Sequence, residues 1–371
     1  MRPEIVSRLV AIMSQQDLDA IIAVSPENFA YVTGFVVPSQ PLMRWRHAAA
    51  IVTRDGEQAI LCVDMEESTV RAKAGDTTVV AWGEFSDDPM NVLAEMLSQM
   101  GLAQARVGTE FDYLSAGAFA ALNEIMPGLR LVAAEKLLAR ARQIKTVQEI
   151  AHMHRLSRIA DQAIYDALMA VAPGSSEMDI AGALTRNIFA LGAENFKLMI
   201  VATGERSVYP NVGPSDRVLK EGDICRVEIF SMIGGYHAGV CRTARVGKAP
   251  PHAETIWQNL VECKYLVLDM IKPGASSRAV YEAFLKHLSK LNLPPIRFVG
   301  HGIGLHLHEQ PYLASHMDVP LEDGMVLGIE PLVYNTGHGY GMQNKDIVAV
   351  TATGSQLLSD FTNTDQLLVV S

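Results

Sequence analysis

The segment GDICRVEIFSMIGGYHAGVCRTARVG, residues 222–247, decides how the second half of this chain folds. Two apolar runs flank Gly234-Gly235, and paired glycines supply the positive φ angles of a tight hairpin turn. Side chains two positions apart share one face of a strand, so His237 and Cys241 point the same way. Glu228 lies within the apolar partner strand, where an isolated charge is costly to bury. We therefore predict a buried hairpin whose carboxylate is either ion-paired or part of a site.

Two later segments concentrate histidine, glutamate and glycine in the same way. FVGHGIGLHLHEQP (298–311) places His301 and His308 among glycines, which allow the backbone to approach a bound group closely. GMVLGIEPLVYNTGHGYGMQNKDIVAV (324–350) places Glu330 in one apolar run and Lys345 just before another. Histidine changes its charge near pH 6.5, which suits proton transfer. These segments are therefore candidates for a catalytic site.

The composition excludes several classes of protein. The chain has 371 residues, of which 49% are hydrophobic and 19% charged, and its formal net charge is −10. An acidic chain has no net electrostatic attraction for nucleic acid or an anionic membrane. Its four cysteines are widely spaced without a CxxC pair, which argues against a disulfide framework or a structural zinc site. The N-terminal residues lack a signal-peptide core and no apolar run reaches the ~20 residues of a membrane span, so we expect a cytoplasmic protein.

The pattern along the chain predicts two domains. In residues 1–140, helical periodicity alternates with short buried strands such as DAIIAV (19–24), which predicts an α/β domain. Thr146 and Glu149 then fit a capping box at the start of a long helix. Hairpins, Gly-rich strands and further helices follow, which predict an α+β domain over residues 141–371.

These motifs together resemble those of the pita-bread superfamily, which includes methionine aminopeptidases, prolidases and creatinase. GHGIG (300–304) with HLHEQP (306–311), IEP (329–331) and the GYH–RT hairpin (235–243) occur in the family's order. PENFAYVTGF (26–35) and RQIKTVQEI (142–150) resemble the creatinase/prolidase N-terminal domain. The resemblance implies a pita-bread catalytic domain at 141–371, a creatinase/prolidase-like domain at 1–140, and a homodimer.

The peptidases of this superfamily hold two metal ions with two Asp, one His and two Glu residues. Carried over by resemblance, the first Asp falls on Glu228, the His on His301 and the first Glu on Glu330. The second Asp falls on Gly239, which has no side chain. The last Glu falls on Asn344 in the creatinase register or on Lys345 in the peptidase register, and neither is a carboxylate. We therefore expect no metal cofactor, with one divalent ion such as Zn²⁺ or Mn²⁺ as the alternative.

The resemblance to creatinase and ectoine hydrolase suggests a reaction without metal on a small C–N substrate. The proposed acid/base histidine of creatinase falls on Asn211, and a cavity carboxylate falls on Cys241, whose thiolate would be a stronger nucleophile. In creatinase-like dimers the small domain reaches the partner's active site, and here Trp45 and Arg46 occupy that part of the sequence. The simpler interpretations are a buried, inert thiol and a solvated loop.

The sequence thus predicts a metal-independent hydrolase of a C–N bond in a small polar or zwitterionic molecule. The expected catalytic residues are His301, His308, Glu330, Glu228 and Cys241. The expected substrate-binding residues are Lys345, Asn344, Asn211, His237, Trp45 and Arg46. For Lys345 an ion pair with Glu228 or Glu330, in the space left by a metal, is an equal alternative.

Three other functions stay open at this stage. The first is an atypical Xaa-Pro dipeptidase or aminopeptidase with a reduced metal site. The second is a non-catalytic binding module that keeps the fold as a recognition scaffold. The third is a lyase that acts on a small zwitterion.

Overall fold

The computed structural model describes residues 1–371 and divides into two compact units, Met1–Arg142 and Gln143–Ser371. The first unit is an α/β domain with one six-stranded sheet, and the second is an α+β domain with mainly antiparallel sheets and flanking helices. The fold class predicted from the sequence is confirmed.

The first unit is built on a mixed sheet with the strand order β4-β3-β2-β1-β5-β6. Its strands are β1 Ala20–Ala23, β2 Ala49–Thr53, β3 Gln58–Val63, β4 Thr78–Trp82, β5 Arg106–Thr109 and β6 Arg130–Ala133. Its helices are α1 Pro3–Gln16, α2 Pro26–Thr33, α3 Glu67–Ala74, α4 Pro89–Gln99, α5 Ala116–Ile125 and α6 Glu135–Gln143. Strands β2 and β3 form a hairpin, and Gly56 in its turn has a φ of 91°.

The second unit contains four helices and eleven strands. The helices are α7 Val147–Met169, α8 Glu177–Ala190, α9 Ala253–Met270 and α10 Ser277–Lys290. The first strands are β7 Asn195–Thr203, β8 Ile224–Ile233, β9 Tyr236–Val246, β10 Phe298–Gly302, β11 Glu309–Ala314 and β12 Val326–Ile329. The remaining strands are β13 Leu332–Val333, β14 Met342–Gln343, β15 Asp346–Thr351, β16 Gly354–Leu357 and β17 Leu368–Val370.

The predicted hairpin over residues 222–247 is confirmed as strands β8 and β9. Gly234 and Gly235 form its turn with φ angles of 58° and 84°. The register places Glu228 opposite Cys241 and Phe230 opposite Gly239. Since side chains of directly opposite residues lie on the same face of the sheet, these four positions face one side of the hairpin.

Helix α7 packs on the hairpin and begins where the sequence predicts. The side chain of Thr146 accepts a hydrogen bond from the backbone of Glu149, whose carboxylate accepts one from the backbone of Thr146. This reciprocal pair satisfies two backbone donors that the first helical turn leaves open. The capping box fixes the start of α7, which contacts both β8 and β9.

Two sheets of the second unit meet beside Glu228. One sheet has the order β17-β9-β8-β7 and the other the order β11-β10-β12-β15-β16. A single antiparallel bridge joins Cys241 of β9 to Lys345, the residue before β15. Its two backbone hydrogen bonds measure 3.3 and 3.4 Å from nitrogen to oxygen. The bridge therefore brings the segments singled out in the sequence to one place.

A buried network of charges holds this junction. The guanidinium of Arg242 contacts the carboxylate of Asp161 in α7 at 2.7 Å and that of Asp346 in β15 at 2.9 Å. The same guanidinium donates to the carbonyl oxygens of Cys241 and Lys345. The ammonium of Lys264 in α9 lies 2.8 Å from Asp346. Buried charges paired in this way tie α7, α9, β9 and β15 together.

No helix in the structure is both long enough and apolar enough to span a lipid bilayer.

Protonation of Asp346 in acid should weaken this network and lower the free energy of unfolding. Burial alone would raise the pKa of Asp346, but Arg242 and Lys264 outweigh it and lower that pKa from its usual value near 3.8 to about 2. A carboxyl with a depressed folded-state pKa stabilises the fold above its unfolded pKa, and this stability is lost as the pH falls toward the folded value. We expect the wild-type free energy of unfolding, measured by urea denaturation, to fall as the pH drops from about 4 to about 2.

Asp346→Asn should lower the free energy of unfolding at pH 7 by about 3–5 kcal/mol, because it leaves two buried cations short of a partner. The dependence on pH below 4 should become shallower in this variant. Asp318→Asn, at an exposed side chain, is the matched control and should change the free energy by less than about 1 kcal/mol. Equal stability of wild type and Asp346→Asn across this pH range would contradict the role given to the network.

Candidate active site

The junction of the two sheets gathers five of the side chains predicted from the sequence. They are Glu228 from β8, His301 from β10, His308 from the loop before β11, Glu330 just after β12, and Lys345 just before β15. All but His308, which is exposed, are buried. The fold therefore assembles one cluster from strands that are far apart in sequence.

Lys345 lies between the two carboxylates of the cluster. Its Nζ atom is 3.0 Å from Glu228 Oε1 and 3.5 Å from Glu330 Oε2. Burial by itself would lower the pKa of Lys345, but the two carboxylates outweigh it and raise that pKa. Lys345 is therefore an ammonium ion at neutral pH. This is the ion pair that the sequence left open as an alternative to substrate binding.

Glu330 and His301 face each other with one unsatisfied atom each. His301 Nδ1 lies 2.8 Å from the carbonyl oxygen of Gly302, which can only accept, so Nδ1 carries a hydrogen. The other ring nitrogen, Nε2, lies 3.3 Å from Glu330 Oε1. Both atoms are buried, and no hydrogen-bond geometry satisfies either of them. Two lone pairs at this separation repel each other, and a cation between them, either a proton or a metal ion, would relieve that repulsion.

His308 completes a group that fits a metal ion. Its ring stacks on that of His301 with centroids 3.6 Å apart, and one donor atom from each of His301, His308 and Glu330 lies within 4.8 Å of the others. Partial burial, then repulsion by His301 and Lys345, lowers the pKa of His308 to about 4, so the ring is neutral at neutral pH. Two imidazole nitrogens and a carboxylate oxygen form a ligand set that Zn²⁺ accepts with a position left open.

The sequence reasoning missed Gln343 and its contact with Arg226. Gln343 Nε2 donates to Glu330 Oε2 at 2.9 Å and to Glu228 Oε2 at 3.2 Å, so one amide holds both carboxylates. Gln343 Oε1 accepts from the guanidinium of Arg226 at 3.0 Å, which fixes the orientation of that amide. The available signal was strand periodicity: Gln343 lies two positions before Lys345 and so favours the same face.

The structure disfavours Cys241 as a nucleophile, although the residue lies directly opposite Glu228. Its side chain is fully buried, and this burial raises the pKa of the thiol well above its ordinary value. The thiolate is the reactive form, so a buried protonated thiol is inert. Cys241 packs beneath the site in the same way as an apolar side chain.

Three further predicted substrate-binding residues, His237, Asn344 and Asn211, lie in the second unit. His237 is buried, and its Nδ1 lies 3.3 Å from the carbonyl oxygen of Gly304. Asn344 is buried and neither of its amide atoms has a hydrogen-bond partner. Asn211 is exposed in the loop whose preceding carbonyls, those of Tyr209 and Pro210, accept from Arg226.

Trp45 and Arg46 belong to the first unit. The guanidinium of Arg46 makes two hydrogen bonds to Glu84, at 2.9 and 2.8 Å. Arg46 is thus already paired, whereas Trp45 is exposed over 62% of its surface. Their predicted contact with a substrate stays a prediction.

Two sequence profiles match this chain and together cover most of it. Residues 151–352 match metallopeptidase family M24, and residues 6–144 match the creatinase/prolidase N-terminal domain. The first match spans the cluster and every strand that contributes to it.

Curated relatives of similar length are described as peptidases. The chain is 28% identical to a probable dipeptidase, PepE, of Mycobacterium tuberculosis over 95% of this chain and 94% of the relative. It is 25% identical to an Xaa-Pro dipeptidase of Pyrococcus furiosus over 96% of this chain and 97% of the relative.

Solved structures share the architecture over the whole length. Dipeptidase PepE from Mycobacterium ulcerans superposes with a TM-score of 0.82 at 26% identity, covering 99% of this chain and 97% of the other. An Xaa-Pro dipeptidase from Bacillus anthracis superposes with a TM-score of 0.85 at 23% identity, covering 99% of both chains. The latter shows the common fold alone.

These findings confirm two expectations and correct a third. The superfamily predicted from the motifs is confirmed, and so is an enzyme that hydrolyses C–N bonds. The expectation of a reaction without a metal cofactor is wrong, because the matching family is one of metallopeptidases and because His301, His308 and Glu330 form a group able to hold an ion. The sequence reasoning counted lost ligands and overlooked His308 as a replacement. By sequence, architecture and site, the chain belongs to metallopeptidase family M24 and carries a creatinase/prolidase N-terminal domain.

Proposed function

We propose that the protein is a metal-dependent dipeptidase, with Xaa-Pro dipeptides as the first substrates to test. The observation that carries the proposal is the buried pair His301 Nε2 and Glu330 Oε1, 3.3 Å apart, beside the neutral ring of His308. The names of the PepE and Pyrococcus furiosus relatives support the choice of substrate class.

The three residues would hold one divalent ion such as Zn²⁺ or Mn²⁺. An ion bound there would polarise the peptide carbonyl and activate a water molecule for attack on it. The carbonyl of Gly302 orients the ring of His301, and Gln343 holds the carboxylate of Glu330. Burial of His301 and Glu330 keeps bulk water away from this pair, whereas His308 is exposed to solvent.

The proposal includes assembly as a homodimer, which follows from the resemblance to creatinase-like proteins. Sedimentation equilibrium of the purified chain measures this directly. A mass of one chain at micromolar concentration would contradict that part of the proposal and leave the chemistry of the cluster untouched.

Turnover should depend on a bound divalent ion. Xaa-Pro dipeptides should be hydrolysed by protein loaded with Mn²⁺ or Zn²⁺, because the ion supplies the electrophile that the cluster's own side chains lack. Chelation should abolish release of free proline, and added metal should restore it. The proposal is wrong if turnover is undiminished in protein that elemental analysis shows to be metal-free.

Replacing the members of the cluster should cost both metal and activity. His301→Ala and Glu330→Gln should each lower kcat/KM by about 100-fold or more and weaken metal binding, since each removes a ligand atom. His287→Ala removes a histidine that pairs with Glu262 in the same unit, and it should leave both quantities unchanged. Wild-type metal affinity in either cluster variant would show that the ligand set is wrongly assigned.

The thiol of Cys241 should be dispensable. Cys241→Ser should keep kcat/KM within a few-fold of wild type, and iodoacetamide should label none of the four buried cysteines quickly in the native protein. Labelling should become fast after unfolding in urea. Loss of turnover in a folded, metal-loaded Cys241→Ser protein would restore the nucleophilic role that the structure disfavours.

A further inference from the structure

The buried ammonium of Lys345 leaves little negative charge free for metal binding. Lys345 is 1% exposed and contacts the carboxylates of both Glu228 and Glu330. Its Nζ also lies 4.5 Å from the centre of the Phe230 ring, within the range of a cation–π contact. The ammonium thus sits in a pocket formed by two anions and an aromatic face.

The hydrogen bonds of the two carboxylates show which oxygen atoms stay available. Glu228 Oε1 accepts from Lys345, and Glu228 Oε2 accepts from Gln343. Glu330 Oε2 accepts from Gln343 and also faces Lys345. Glu330 Oε1 alone among these four oxygens has no hydrogen-bond partner, and it faces His301. The cluster therefore offers one open carboxylate oxygen, on the side of the two histidines.

The space beside Glu228 is occupied by the ring of Phe230 and the ammonium of Lys345. A Cβ atom built on Gly239 would lie 2.3 Å from the ring of Phe230, so no side chain fits at that position unless the ring moves. The face of the same ring contacts the Lys345 ammonium. A ligand side chain at position 239 and the present arrangement of Phe230 and Lys345 exclude each other.

We propose that the Lys345 ammonium serves as a built-in cation for Glu228, so that the site binds one divalent metal ion per chain, at His301, His308 and Glu330, and not two. This inference rests on the proposed function only in taking the cluster to hold a metal. It assigns Lys345 and Phe230 the space in which a second ion would have to lie. Lys345 is thus a positioning residue for the carboxylates and not a metal ligand.

The stoichiometry of metal binding tests this inference without an activity assay. Metal-free protein is dialysed against saturating Mn²⁺ alone, and the bound metal is counted by elemental analysis and checked by native mass spectrometry. The wild type should bind one Mn²⁺ per chain, and its bound Mn²⁺ should give the electron paramagnetic resonance spectrum of an isolated ion. Two bound ions, a spin-coupled spectrum, or no bound ion would each overturn the inference.

Lys345→Glu should raise the stoichiometry to two, because it removes the ammonium and adds a carboxylate beside Glu228. Lys345→Gln removes the charge without adding a carboxylate, and a second Mn²⁺ should bind to it more readily than to the wild type. If circular dichroism shows that Lys345→Glu does not fold, the stoichiometry of Lys345→Gln tests the inference. Lys264→Met removes another buried, ion-paired lysine, whose partner Asp346 contacts Arg242 and Ser359. That control should still bind one Mn²⁺. One ion in the wild type and in both folded Lys345 variants would overturn the role of Lys345.

The outcomes separate this inference from the proposed function. If the chain binds one Mn²⁺ but cleaves no dipeptide, the substrate assignment fails and the assignment of Lys345 stands. If the chain cleaves dipeptides with two bound ions, the assignment of Lys345 fails and the dipeptidase stands.

Discussion

The guanidinium of Arg242 is the constraint on which the site depends. It is nearly inaccessible to solvent and joins the carboxylate of Asp161 in α7 to that of Asp346 in β15. It also donates to the carbonyl oxygens of Cys241 and Lys345, the residues of the single bridge between the two sheets. The hydrogen bond from Arg242 therefore fixes the backbone at Lys345, and the position of this backbone determines which groups the Lys345 ammonium can contact. Removing one partner from such a network leaves an uncompensated buried charge, which is far more costly than the net gain from forming it.

The site itself balances charge within a small volume. Two buried carboxylates, one ammonium and one amide satisfy one another, and a single oxygen of Glu330 is left facing a histidine. Gln343 links this balance to Arg226, whose guanidinium lies over the ring of Tyr334 and holds the loop at Tyr209 and Pro210. The orientation of the carboxylates is thus set by contacts that extend to the surface of the unit. A metal ion bound at the histidines would meet a carboxylate already held in place.

The sequence contained most of the fold, because its signals are local. Paired glycines at 234–235 set the hairpin, and strand alternation predicted that His237 and Cys241 point the same way; the pairing of Glu228 with Cys241 comes from the register of the structure. The capping box, a motif of only four residues from Thr146 to Glu149, likewise marks the start of α7. Such features depend on backbone geometry and near neighbours, which a single sequence displays directly.

The arrangement of the site was harder to foresee, because it depends on which side chains meet across strands. The sequence identified His301, Glu330, Glu228 and Lys345, but it could not show that Gln343 bridges the two carboxylates. It also could not show that the ring of His308 stacks on that of His301, which brings His308 into a group with Glu330 that could hold an ion. For Cys241 the sequence left a nucleophile and a buried, inert thiol as alternatives, and the burial in the structure favours the second.

The Lys345–Glu228 ion pair has a consequence for how the centre is supplied with charge. An ion taken up from solution is lost whenever its free concentration falls below its dissociation constant, and competing chelators deplete it further. A charge carried on a side chain is present from the moment the chain folds and cannot exchange. Part of the positive charge beside Glu228 is therefore a covalent part of the polypeptide. This charge does not depend on the supply of trace elements in the surroundings.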